Sequence, residues 1–117
     1  MKFAFEASDA EDAQQALSEL RSHYSTVATE DADVIVVLGG DGSMLRALHR
    51  YMNSGKMLYG LNRGSIGFLM NEFAVDRLEQ RILNAVSTII HPLVMEVTLA
   101  GGTTERAFAL NEVSLLR

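Results

Sequence analysis

Residues 34–38 read Val-Ile-Val-Val-Leu, five apolar residues in succession with no polar alternation. A strand with one face in water alternates apolar and polar side chains. A run that does not alternate is expected to be covered on both faces, as in a parallel sheet between layers of helix. Gly39-Gly40-Asp41-Gly42 ends the run. Met44, Ala47, Leu48, Tyr51 and Met52 then recur at helical spacing, and Asn53-Ser54-Gly55 stops that helix.

The neighbouring segments repeat this alternation. Residues 1–7 read as a first strand. Ser8-Asp9-Ala10-Glu11 is a capping-box pattern, with Ser8 at the N-cap and Glu11 reaching back. Ala13, Ala16, Leu17, Leu20 and Tyr24 place an amphipathic helix over residues 9–22. Residues 57–61 form the next buried-type strand, residues 62–67 a Gly-rich loop, and Leu78, Ile82, Leu83 and Val86 mark a third helix. Strand, helix, strand, helix, strand, helix implies a doubly wound, mostly parallel α/β sheet with right-handed crossovers. After residue 90 the style changes. Leu93, Met95, Val97 and Leu99 alternate with Val94, Glu96 and Thr98, Gly101-Gly102 supplies a turn, and residues 103–116 follow as a second extended run. Pro92 sits at the junction. The expected organisation is an α/β domain over residues 1–90 and, over 91–117, the first hairpin of a second, mostly β domain that continues beyond Arg117.

Composition excludes several classes. At 48% hydrophobic and 21% charged residues the chain has ordinary globular composition. No apolar run reaches bilayer length, so no membrane role is expected. Cysteine is absent, which removes disulfides and thiolate chemistry and fits a cytoplasmic protein. The three histidines, His23, His49 and His91, show no metal-ligand spacing. Net charge is −5, and it is uneven: residues 1–40 hold eight acids and two bases, residues 41–117 seven acids and eight bases. Arg46, Arg50, Lys56 and Arg63 are the local basic concentration. They are too sparse for a nucleic-acid footprint, and they suit either one small polyanion or a solvated helix face.

Chemistry concentrates at three places. A glycine run at the carboxyl end of a buried strand lets backbone amides approach phosphate oxygens. It is neither a Walker A loop nor GxGxxG. A carboxylate among those glycines would repel a phosphate. Asp41 is therefore suited to accept a hydrogen bond from a hydroxyl about to be phosphorylated, or to hold Mg²⁺ between phosphates; the other reading is a plain helix cap. Arg46, one turn into the helix, can reach phosphates near its start or stand in solvent. The loop Gly60-Leu61-Asn62-Arg63-Gly64-Ser65-Ile66-Gly67-Phe68 can line the same crevice or simply connect strand to helix. Asn111-Glu112 interrupts an apolar strand and can meet ribose hydroxyls or an adenine edge, or one of the pair simply faces water.

Together these segments resemble the NAD kinase family. The matching pieces are Leu38-Gly39-Gly40-Asp41-Gly42-Ser43-Met44-Leu45-Arg46, then residues 60–69 from Gly60 to Leu69, then Leu110-Asn111-Glu112-Val113. The resemblance implies transfer of a phosphoryl group from ATP, or polyphosphate, to the 2′-hydroxyl of the adenosine ribose of NAD, giving NADP, with a divalent metal ion such as Mg²⁺. It implies Asp41 as general base, Gly42 and Arg46 against the dinucleotide, Asn111 and Glu112 as the nucleotide-binding pair, and Phe68 lining the pocket. It also implies a homo-oligomer, dimer or tetramer, when full length. A second domain absent from these 117 residues leaves the chain alone expected to be inactive. Two other readings stay open: a non-catalytic nucleotide-binding module, and a lipid or sugar kinase of related Gly-Gly-Asp-Gly type.

Overall fold

The computed structural model describes residues 1–64, 67–85, 87–90, 95–98, 104–107 and 113–116; beyond residue 85 it describes the strands and the side chain of Leu116. Strand β1 (Phe3–Ala7) leads into helix α1 (Glu11–His23), and a 3₁₀ turn at Thr29–Asp31 returns the chain to β2 (Val34–Leu38). Helix α2 (Asp41–Arg50) and β3 (Met57–Asn62) follow. Next come β4 (Asn71–Glu72), helix α3 (Leu78–Leu83) and β5 (Ser87–Ile90), then β6 (Met95–Thr98), β7 (Thr104–Ala107) and β8 (Val113–Leu116).

β1, β2, β3 and β8 lie side by side in parallel. β5 runs antiparallel on the outer edge of β8, and β4 joins the end of β3. Every residue of β2 is buried, and the pleat divides them between two cores. Val34, Val36 and Leu38 pack with Phe3, Tyr59 and Leu61 against Ala13, Ala16 and Leu20 of α1 and Leu78 and Ile82 of α3. Ile35 and Val37 pack with Ala4 and Leu58 against Met44, Ala47 and Leu48 of α2 and against Met70. This is the α/β sheet with helices on both faces that the unbroken apolar run implies. Among the described residues no charged side chain is buried, and no helix is long and apolar enough to cross a membrane. The Tyr59 phenol is pushed above the ordinary tyrosine value by burial, against the lowering effect of Arg81, so it stays neutral in the core.

Several expectations are corrected. β1, β2 and β3 advance across the sheet in one direction, yet α1 and α2 lie on opposite faces. Two such crossovers have opposite hands, so they are not both right-handed. β2 is apolar on both faces, and burial alone therefore does not choose the side. Ser8 does not cap α1: Ala10 occupies the N-cap and no side-chain cap bond forms. The Ser8 amide is still committed to the sheet, donating to the Leu38 carbonyl at 3.0 Å. α2 ends at Arg50 rather than Met52. The extended run after the turn is two strands: β7 pairs with β6 as the hairpin, whereas β8 returns to the main sheet beside β3. The strands β4 and β5 have no counterpart among the sequence-based expectations. The turn at Gly101-Gly102, Pro92 and Val86 lie outside the described residues.

One polar tie joins the two ends of this layer. The Tyr24 hydroxyl, just past α1, donates to the Val75 carbonyl and accepts from the Leu78 amide at 3.2 Å, where α3 begins. Its ring meets Phe3 edge-on at 6.3 Å. Tyr24→Phe keeps the ring and strands two partly buried backbone groups. The expected loss is about 1 kcal/mol of stability, read as a lower urea midpoint at unchanged slope.

Candidate active site

The carboxyl ends of the first three strands are tied almost to their last residues. The Ser8 amide donates to Leu38 at 3.0 Å, the Gly39 amide to Leu61 at 3.1 Å, and the Phe73 amide to Asn62 at 3.1 Å. Loops leaving this rim start from fixed positions, which is where ligands bind in open α/β sheets.

The glycines at the rim have different reasons to be there. Gly39 has φ of +151°, and a Cβ on it would lie 2.5 Å from Ser43 Oγ and 3.3 Å from Ser8 Oγ. Its own chain demands glycine. A Cβ on Gly40 would meet nothing within 4 Å, and one on Gly42 would meet only Arg46 Nη1, at 3.7 Å. Neither residue has positive φ. The folded chain itself therefore does not need glycine at 40 or 42.

Asp41 is the first residue of α2, and Gly40 is its cap residue, with no side-chain cap bond. The plain-cap reading of Asp41 is therefore excluded. Its partly exposed carboxylate reaches across the rim instead. Oδ2 accepts the Phe68 amide at 2.9 Å and Oδ1 accepts the Leu69 amide at 3.0 Å. The loop from β3 thus holds the carboxylate in place through backbone donors. Each oxygen keeps a further lone pair. The Phe68 side chain stands in solvent beside it, 83% exposed.

The four bases singled out from sequence separate by role. Lys56 caps the Glu30 and Ala32 carbonyls at 2.8 and 2.9 Å. Arg50 pairs with Glu6. Arg63 pairs with Glu19 and lies 4.5 Å over the Phe73 ring. Arg46 makes no ion pair among the described residues. It is exposed, and its guanidinium lies 3.4 Å from Ser43 Oγ. A cavity of about 90 Å³ beside it, lined by Glu6, Ser8, Ser43, Arg46 and Arg50 among others, has room for a few waters and not for a nucleotide. Among the described residues no three His, Asp or Glu side chains gather as a metal cage.

The structure therefore brings Asp41, Gly42, Arg46 and Phe68 to one rim. Asn111 and Glu112 lie outside the described residues. The loop that holds Gly67 is expected from sequence to line the same crevice or simply to connect strand to helix; that its backbone binds Asp41 has no signal in the sequence.

The α/β sheet thus presents a glycine-flanked carboxylate and an exposed arginine at its strand ends, the place where open α/β sheets bind their ligands. The chain belongs to the family of the ATP-NAD kinase N-terminal domain, whose profile matches residues 1–92. It is 54% identical over 114 residues to the NAD kinase of Rhizobium meliloti (strain 1021), covering 97% of this chain and 44% of that protein. It is 51% identical over 116 residues to the NAD kinase of Caulobacter vibrioides, covering 99% and 45%. Against the NAD kinase of Hyphomonas neptunium it is 49% identical over 117 residues, covering 100% and 46%. The chain thus spans less than half the length of these relatives.

The two classes of glycine give opposite expectations for alanine. Gly39→Ala should cost about 1–3 kcal/mol through backbone strain and the Ser43 clash. Gly42→Ala, inside a helix, should leave stability unchanged or raise it by up to about 1 kcal/mol. Thermal unfolding of the two variants checks the contrast.

Proposed function

We propose that the protein carrying this chain transfers the terminal phosphoryl group of ATP to the 2′-hydroxyl of the adenosine ribose of NAD, giving NADP. The observation that carries the reading is the placement of Asp41: a carboxylate fixed by two backbone amides at a sheet rim, flanked by glycines the fold itself does not require. The family membership and the name shared by the relatives supply the substrates.

In this reading the ribose hydroxyl donates its hydrogen bond to a free lone pair of Asp41. The carboxylate takes the proton as the oxygen attacks the γ-phosphorus, and ADP leaves with the electrons of the broken P–O bond. Backbone at Gly40 and Gly42 lies against the dinucleotide, and Arg46 offsets phosphate charge. Phe68 covers the ligand with its exposed ring. Asn111 and Glu112 bind the nucleotide, an assignment that rests on the family motif. Mg²⁺ would reach this site mainly on the phosphates of the donor, with Asp41 able to offer one carboxylate oxygen, and would neutralise developing charge there. Polyphosphate is the alternative donor. The hairpin of β6 and β7, which pairs with no strand of the main sheet among the described residues, is proposed as the start of a second, mostly β domain. A cytoplasmic homo-oligomer, dimer or tetramer, completes the reading, on the strength of the family resemblance and the absence of cysteine.

Assays of the complete protein with NAD, ATP and Mg²⁺ test it. Asp41→Asn should lower kcat by about 10²–10⁴-fold with the fold intact. Unchanged turnover would remove Asp41 from the chemistry. Arg46→Ala should weaken dinucleotide binding about tenfold, or 1.4 kcal/mol, by calorimetry, at unchanged thermal stability.

A further inference from the structure

Glycine at 67 is asked for by Asp41. A Cβ on Gly67 would lie 2.1 Å from Asp41 Oδ2, 2.5 Å from Cγ and 2.6 Å from Oδ1. The carboxylate therefore lies directly against the Gly67 backbone while Phe68 and Leu69 donate to its two oxygens at 2.9 and 3.0 Å. Gly67 itself is exposed, so a methyl group there would face no packed core, only the carboxylate. Overlap this deep leaves two outcomes for a side chain at 67: the carboxylate turns away, or the loop backbone withdraws and takes both donors with it.

We infer that Gly67 is a positioning residue for Asp41. The Gly67–Leu69 backbone acts as a fixed saddle that sets where the carboxylate points, and it leaves one lone pair on each oxygen for a substrate hydroxyl. The inference rests on the reading of Asp41 as the base, and the saddle itself can be measured apart from that reading. The second Gly-rich loop thereby gains a role of its own. Its backbone binds the acid of the first loop, so the two loops form one device.

The test uses the complete protein with Gly67→Ala, Asp41→Asn and the double variant. Gly67→Ala should lower kcat about 10²-fold, the penalty for displacing a reacting group by about 1 Å, while KM for NAD changes less than about threefold. Adding Gly67→Ala to Asp41→Asn should cost less than about threefold more, because the two substitutions disable the same group. Selective ¹⁵N labelling of Phe and Leu gives a readout independent of activity. The Phe68 and Leu69 amide protons should move upfield in Gly67→Ala and in Asp41→Asn alike, with the other labelled amides in place. Wild-type kcat in Gly67→Ala, a full further 10²-fold loss in the double variant, or unmoved Phe68 and Leu69 resonances would each overturn the inference. Wild-type kcat in Asp41→Asn with the resonances shifted would instead overturn the base assignment and leave the saddle standing as a structural contact.

Discussion

A strand buried on both faces has nowhere to put a polar side chain. β2 is such a strand, with all five residues out of water, and the constraint fixes where chemistry can begin. Between Asp33 and Asp41 the chain offers no polar side chain. The next one appears where the chain has left the sheet and started α2, and it is Asp41 itself. The backbone bonds from Ser8, Gly39 and Phe73 carry the order of the sheet out to the loop bases, where Asp41 stands. Each buried Val, Ile or Leu of β2 contributes about 1.5–3 kcal/mol, so the rim is anchored by the strongest part of the fold.

Electrostatics then sorts the rim. A carboxylate at the start of a helix is favoured by the helix dipole, but that alone would leave its direction free. Direction comes from the Phe68 and Leu69 amides, donors 27 and 28 residues away in sequence. Arg50 and Arg63 are neutralised by Glu6 and Glu19 on other elements. Both pairs are solvent-accessible and worth little energetically. Of the four bases singled out from sequence, Arg46 makes no ion pair among the described residues. Among the described residues the Asp41 carboxylate and the Arg46 guanidinium thus stand at one rim without pairing with each other.

How much of this could be read in the residues follows from the range of each interaction. Elements set by local period were legible: the unbroken run at 34–38, the helical spacing of Met44, Ala47 and Leu48, and the alternation around Met95. Those set by distant partners were not. β8 sits beside β3 across more than fifty residues, and nothing in Val113-Ser114-Leu115-Leu116 distinguishes a hairpin arm from a strand of the main sheet. The hand of the crossovers was not legible because β2 is apolar on both sides. Ser8 has the residue type of a cap, but its amide is bonded to the Leu38 carbonyl and Ala10 takes the N-cap. At the candidate site, residue type alone drew attention to Asp41 and Arg46, since a carboxylate among glycines and a base on a helix face are visible in one dimension. The partners of Asp41 are backbone amides, which nearly every residue possesses, so no sequence pattern could name them.

The central claim is that the Asp41 carboxylate meets a ribose hydroxyl at the end of β2. A crystal structure of the complete protein with NAD bound tests it most directly. The expected result is an Asp41 oxygen about 2.6–3.2 Å from the 2′-oxygen of the adenosine ribose, with the Phe68 and Leu69 amides still on the carboxylate and the dinucleotide against Gly42. A dinucleotide bound elsewhere, or one whose 2′-hydroxyl faces a different side chain while Asp41 stays unengaged, would contradict it.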